Sequence, residues 1–304
     1  MSGQLIASDL EGNIIDMRRD HSKYIVKAAV LHESEHDIIA TAGWDCKVNF
    51  YTSTDHASFK FGEPVATIIL PTKPEAMLLV RHPDSLEPIL IIARTDSNFL
   101  YFYTTENEPR MLGKQNLAPH SNAWVAFTPS ALAACPSDPT LLAVATNSLP
   151  HMKLLIVRLL VPPFTTPAPS AAPVLVRRSL LDDTLVPETQ ATQARAALAI
   201  ADREAAAIQI HANTMAPQAA YSTPAVVWRP DGSGVFVNGD DGVIRGIEAS
   251  TGRIKTSLKG HEEGSKVRCL VSYRNEVDGE EWLVSGGFDQ RLIVWKTGLA
   301  TIDG

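Results

Sequence analysis

The sequence predicts an all-β fold made from a repeated antiparallel unit, and three observations favour it. Short apolar strings of strand length recur along the 304 residues, for example at 88–96 and 140–147. These strings come in pairs joined by turns that carry Asp, Asn or Gly, as the strands of antiparallel hairpins do. One pair, at 37–51, also has a counterpart with the same internal spacing at 281–296.

Composition narrows the possible functions. Apolar residues make up 45% of the chain and charged residues 20%, which is typical of a folded protein. The formal net charge of −7 argues against nucleic acid as a direct partner. The three cysteines form no CxxC pair or Cys/His cluster, so we expect no metal site and an intracellular location, cytoplasmic or nuclear. The sequence shows neither a signal-peptide pattern nor an apolar run long enough to span a membrane, so we expect no membrane segment.

An internal repeat aligns residues 11–21 with residues 251–261, and each segment ends in His. In both copies a Thr or Ser lies four residues before an Asp, and an aromatic residue lies six residues after that Asp. A catalytic triad occurs once in an enzyme, so a constellation that occurs twice is interpreted as structural, and no G-x-S-x-G motif is present. The repeated residues are His21, Thr41, Asp45 and Tyr51 in the first copy and His261, Ser285, Asp289 and Trp295 in the second.

The second copy, with Gly260-His261 at its start and Trp295-Lys296 at its end, resembles the WD40 repeat family. The resemblance is strong over 222–296, good over 21–70 and weak over 75–221. It implies a β-propeller of four-stranded blades. It also implies that the His, Ser or Thr, Asp and aromatic residue of each copy form a hydrogen-bonded structural tetrad.

A single propeller over residues 1–304 is expected, with six recognisable blades. A seven-bladed propeller is the alternative, because 304 residues at about 43 residues per blade would allow seven blades. The predicted units are 22–74, 75–120, 121–181, 182–221, 222–261 and 262–304.

The region 159–200 is Pro/Ala-rich at its start and is interpreted as an insertion or a degenerate blade. A strand is predicted around 174–181. Strands are also predicted at 196–202 and 207–211, although strong helix formers over 191–210 leave a short helix open.

The ends of the chain are predicted to complete one another. Residues 13–20 have the pattern of an outer blade strand, and the last unit ends at its third strand near residue 296. We therefore expect the N-terminal strand to complete the last blade and close the ring, which would remove two exposed sheet edges. A chain that opens within a blade also leaves room for a further N-terminal module.

Function is predicted to lie on the rims of the propeller, because the fold alone specifies no activity. The family resemblance places the residue before each turn Asp on the top face, together with Tyr24. These residues are Trp44, Asp240 and Phe288. If the ring closes, the aromatic residues Tyr24, Trp44 and Phe288 lie in neighbouring blades, and such a cluster predicts a partner-binding surface. The alternative is that Trp44 and Phe288 only cover the tetrads beneath them.

The predicted function is a non-catalytic scaffold that binds protein partners, without a cofactor, as a subunit of a larger complex. A reader of a basic peptide such as a histone tail is the first alternative. An enzyme that uses the central channel is the second alternative. The predicted inner strands, such as 24–30 and 266–271, are mostly apolar and favour neither catalysis nor a cofactor.

Overall fold

The structure is a computed structural model with side chains. The residues that it describes are 3–9, 11–34, 36–53, 61–120, 127–164, 176–179, 182–186, 190–275, 277 and 279–296.

The N-terminal strands form a hairpin of their own. They are β1 (Gly3–Ser8) and β2 (Ile14–His21). They pair antiparallel from Gly3 opposite His21 to Ser8 opposite Ile14. In the turn, the carboxylate of Asp9 accepts the backbone N–H groups of Glu11 and Asn13.

Blades 1 and 2 are regular four-stranded antiparallel sheets. Blade 1 consists of β3 (Ile25–His32), β4 (Asp37–Gly43), β5 (Lys47–Ser53) and β6 (Ala66–Ile69). Blade 2 consists of β7 (Pro74–Arg81), β8 (Pro88–Arg94), β9 (Phe99–Thr104) and β10 (Met111–Asn116). The second strands are continuous apolar runs because both of their faces are packed against neighbouring sheets.

Blade 3 carries an insertion between its third and fourth strands. Its first three strands are β11 (Pro129–Ala134), β12 (Leu141–Thr146) and β13 (His151–Arg158). The insertion contains the paired strands β14 (Val176–Ser179) and β15 (Asp182–Val186) and the helix α1 (Gln190–Ala207). The fourth strand, β16 (Ile208–Pro217), then pairs with β13.

Blade 4 is again a four-stranded sheet, and blade 5 has three strands in the described part of the chain. Blade 4 consists of β17 (Val226–Trp228), β18 (Gly234–Val237), β19 (Val243–Glu248) and β20 (Ile254–Lys259). Blade 5 consists of β21 (Val267–Arg274), β22 (Glu281–Gly287) and β23 (Leu292–Lys296).

Within the described ranges the propeller therefore has five blades, and the prediction of six or seven was wrong. The units predicted at 121–181 and 182–221 are a single blade, because β14 and β15 pair only with each other and β16 completes the sheet of β11–β13. The strand predicted at 196–202 is part of α1, where Ala, Gln, Arg and Glu favour a helix. The strand near 174–181 is present as β14. Most of the Pro/Ala-rich stretch, at 165–175, lies outside the described residues.

The predicted closure by the N-terminal strand is also different in the structure. β2 pairs with β1 instead of β23, so the last sheet has the order β21-β22-β23. The sequence prediction missed β1. Pairing of β2 with β1 closes only a short hairpin loop, whereas pairing with β23 would close a loop of about 270 residues. The entropic cost of the hairpin is therefore lower.

Five apolar clusters lie between successive layers. The clusters join β1–β2 to blade 1, then blade 1 to 2, 2 to 3, 3 to 4 and 4 to 5. The first of them packs Leu5 and Ala7 against Ile39, Tyr51 and Phe61. The hairpin thus covers the face of blade 1 that points away from blade 2. No helix in the described ranges is both long and apolar enough to span a bilayer.

Candidate functional surface on the top rim

The top rim is defined by two kinds of connection. One joins the second and third strands of a blade, and the other joins successive blades. Asp45, Asp241 and Asp289 lie in the first kind of connection, in blades 1, 4 and 5. The opposite rim carries the connections between first and second strands and between third and fourth strands.

In blade 5 the structure places the four repeated residues in one hydrogen-bonded chain. His261 Nδ1 lies 3.0 Å from both carboxylate oxygens of Asp289. His261 Nε2 lies 2.8 Å from Ser285 Oγ, which also accepts the indole N–H of Trp295 at 2.9 Å. Nδ1–H therefore donates to the carboxylate, and Nε2 accepts from the hydroxyl. The backbone N–H of Glu262 also donates to Asp289. These hydrogen bonds connect blade 5 to the segment that follows β20 of blade 4.

The first copy differs in its last member. His21 Nδ1 donates to Asp45 at 2.9 Å, and His21 Nε2 lies 2.9 Å from Thr41 Oγ1. The Asn49 amide lies 3.3 Å from the same ring nitrogen. Tyr51 donates its hydroxyl to Asp20 in β2, at 3.1 Å. Tyr51 and His21 thus both connect blade 1 to the N-terminal hairpin.

A glycine two residues before each turn Asp makes room for these contacts. A Cβ atom at Gly43 would lie 2.5 Å from Asp45 Oδ1 and from His21 Nδ1. At Gly287 it would lie 2.7 Å from Asp289 Oδ1 and 2.8 Å from His261 Nδ1. The sequence prediction missed these glycines, although the G-x-D pattern recurs in blades 1, 4 and 5 and could have revealed them.

Blade 4 replaces the histidine with an arginine. Arg245 Nη2 and Nη1 donate to the two carboxylate oxygens of Asp241 at 2.6 and 3.1 Å. Burial alone would raise the pKa of Asp241, but the hydrogen bond and charge of Arg245 bring it below the usual range. The turn carboxylate is therefore held from within its own blade.

We expect Asp241→Asn to destabilise the fold by about 1 kcal/mol at neutral pH and by less in acid. Since the pKa of Asp241 is lower in the folded state than the unfolded value near 3.9, its stabilisation is complete above about pH 4 and is lost as the pH falls through the folded pKa. Urea unfolding of both proteins between pH 7 and pH 3 measures this. A difference that stays constant over that range would contradict the prediction.

Trp44 and Tyr24 form a fixed aromatic pair on the top rim. The backbone N–H of Trp44 donates to Tyr24 O at 2.9 Å, and the two rings meet edge to face at 5.3 Å. Both side chains are nevertheless exposed, Trp44 at 44% and Tyr24 at 41%. Lys73 Nζ lies over the Trp44 ring at 5.2 Å from its centre.

Phe288 occupies the equivalent position in blade 5, where its backbone N–H donates to Lys266 O at 3.0 Å. The ring is 62% exposed, and the Arg268 guanidinium lies 4.7 Å from its centre. Asp240 is different, since its carboxylate accepts Ser222 Oγ and pairs with Lys266 Nζ at 2.9 Å. It bridges blades 4 and 5 and has little free surface.

The five first strands line a central cavity of about 350 Å³. Lys27 of β3 and Arg268 of β21 are its only charged lining residues in the described part of the chain. A search of the same residues found no group of three or more His, Cys, Asp or Glu side chains placed to hold a metal ion.

Comparison with known proteins agrees with this architecture. A family model described as a beta-propeller domain matches residues 1–296. The Dos1 propeller superposes with a TM-score of 0.57 and 15% identity over 96% of the chain, and Sqt1 from Saccharomyces cerevisiae with 0.56 and 10% over 96%. The chain spans 62% and 65% of the lengths of those two proteins. Among curated proteins no sequence match was found.

Proposed function

Because the chain belongs to this family of beta-propeller domains, we propose that it is a non-catalytic scaffold whose top rim binds protein partners. The observation that carries the proposal is the exposure of Trp44 and Phe288 at equivalent positions, each fixed by a backbone hydrogen bond. Rigid, exposed aromatic side chains lose little entropy on binding and are frequent interface anchors.

Exposure argues against a purely covering role for these rings. In the tetrads of the same two blades, the side chains of His21 and His261 have no exposed surface. Trp44 and Phe288 keep about half of their own surface in solvent. Such a surface gains apolar burial only when a partner covers it.

The charges near the rings weigh against a basic peptide as the partner. Lys73 and Arg268 lie on the aromatic faces, and Asp240 is already paired with Lys266. The cavity is lined by two cations and by neutral residues, without a carboxylate or a histidine, so it lends no specific support to catalysis. We place the protein inside the cell as a subunit of a larger complex, in keeping with its free cysteines Cys46, Cys135 and Cys269.

The double variant Trp44→Ala/Phe288→Ala is expected to lower partner recovery about tenfold in affinity purification from the native cell, as loss of interface anchors does. Mass spectrometry identifies and quantifies the partners. The matched control is Leu86→Ala/Met111→Ala, which truncates two exposed apolar residues of the opposite rim. Thermal melts establish that both variants are folded. Loss of partners with the control, and retention with the rim variant, would move the binding surface to the opposite rim.

A further inference from the structure

The mouth of the central channel carries positive charge without matching negative charge. Lys27 and Arg268 both line the cavity, and the remaining lining residues are neutral. Among the residues that the structure describes, no carboxylate lies within 4.0 Å of Lys27 Nζ or of the Arg268 guanidinium. The negative charge of Glu75 acts on Lys27 from beyond ion-pair distance, and the Glu75 carboxylate accepts the Thr95 hydroxyl at 2.7 Å.

Burial lowers the pKa of Lys27, and the charge of Arg268 lowers it further, while Glu75 opposes the shift. Lys27 is half-buried and Arg268 is exposed, and both line the same cavity, so their positive charges oppose one another there. An anion placed between them would relieve this repulsion and would form charge-assisted hydrogen bonds with both groups.

The cations continue into the aromatic surface on both sides of the channel mouth. On the blade 5 side, Arg268 itself lies over Phe288. On the blade 1 side, β3 joins Lys27 to Tyr24, which is paired with Trp44 beneath Lys73. Each side thus combines cations with exposed aromatic rings, and Lys27 and Arg268 line the cavity between the two sides. Carboxylates pair with the cations of such a surface, and apolar side chains pack on its rings.

We infer that the partner of the top rim presents an acidic segment, in which carboxylates bind between Lys27 and Arg268 and next to Lys73, and apolar side chains pack on Trp44 and Phe288. The inference rests on the proposed function, which it deepens by naming the chemistry of the partner. The net charge of the whole chain is −7, which would repel an acidic partner, so the attraction must come from the local cations of the rim.

The test uses the full chain and three fluorescently labelled synthetic peptides. Each has six residues in which leucine alternates with glutamate, glutamine or lysine. Fluorescence anisotropy is expected to show binding of the glutamate peptide only, with affinity that falls as salt is added. Arg268→Ala and Lys27→Met are each expected to weaken this binding about tenfold, and Arg268→Lys is expected to weaken it less.

Lys255→Ala is the matched control, because Lys255 is an exposed cation on β20, the outer strand of blade 4. Its binding of the glutamate peptide should equal that of the wild type. Equal binding of the glutamate and glutamine peptides would overturn the inference, as would preference for the lysine peptide or equal losses in the Lys255→Ala and Arg268→Ala variants. If the glutamate peptide fails while cellular partners still depend on Trp44 and Phe288, the acidic segment is excluded and the proposed function stands.

Discussion

Replacement of His21 by alanine is expected to lower the free energy of unfolding by about 2–4 kcal/mol. The imidazole side chain is fully buried and bridges Asp45 and Thr41, at 2.9 Å from each. Its removal leaves a carboxylate and a hydroxyl without their partner at the junction of blade 1 and the N-terminal hairpin. Urea denaturation at pH 7, followed by tryptophan fluorescence, measures the change.

His32→Ala is the control for this experiment. His32 makes the same type of contact, from Nδ1 to Asp37 at 2.8 Å, but its side chain is 81% exposed. Asp37 is itself buried, but it has a further contact and water can take the place of the exposed imidazole, so the loss should be smaller than for His21→Ala. Equal losses at His21 and His32 would show that burial of the imidazole adds nothing to the contact, and the structural interpretation of the tetrad would fail.

Trp228→Ala is expected to destabilise the protein by about 3–5 kcal/mol, the range for a large aromatic residue removed from a core. Trp228 is 5% exposed in the cluster between blades 3 and 4. Its indole N–H donates to Ala133 O at 2.8 Å, which joins the two blades directly. The variant therefore loses apolar contacts together with a hydrogen bond between the two blades. Thermal and urea unfolding measure the loss.

Two further variants separate the causes. Trp228→Phe keeps most of the ring but removes the N–H, so it should lose about 1 kcal/mol through the hydrogen bond plus a smaller packing loss. Trp44→Ala, at an exposed tryptophan, should change stability by less than about 1 kcal/mol. If Trp44→Ala proved as damaging as Trp228→Ala, the rim ring would be part of the core, and the partner-binding proposal would lose its main support.

Sequence patterns identify the propeller because its blades repeat polar residues at fixed spacing. Thr41 precedes Asp45 by four residues, as Ser285 precedes Asp289, and in each copy the structure connects these two residues through the histidine. Strand-length apolar runs such as 88–94 also match buried strands, since period and length are local properties of the chain.

The blade count was not predictable in the same way. Between 121 and 221 the tetrad residues are missing, and strand pairing there depends on long-range contacts. β13 skips a hairpin and a helix before it pairs with β16, and no local pattern specifies such a connection. The pairing of β2 with β1 was missed because only Leu5 and Ile6 in β1 are large and apolar, so β1 does not stand out as an apolar run.

The candidate surface was predicted only in part. The rule that the residue before each turn Asp lies on the top rim identified the exposed rings of Trp44 and Phe288. The same rule selected Asp240, whose carboxylate is already bound to Ser222 and Lys266. No sequence motif marks Lys27, Lys73 or Arg268 as part of this surface. They reach the rings and the channel from other strands and loops, so only the three-dimensional arrangement brings them together.

The order of the apolar clusters bears on how the molecule comes apart. Contacts run from one layer to the next, so stability is distributed as in a linear array of neighbours. Blade 5 packs one face against blade 4, while its other face leaves Val271, Leu292 and Val294 exposed. Fraying should therefore begin there and advance toward blade 4, with amide hydrogens of β23 exchanging with solvent well before those of β8.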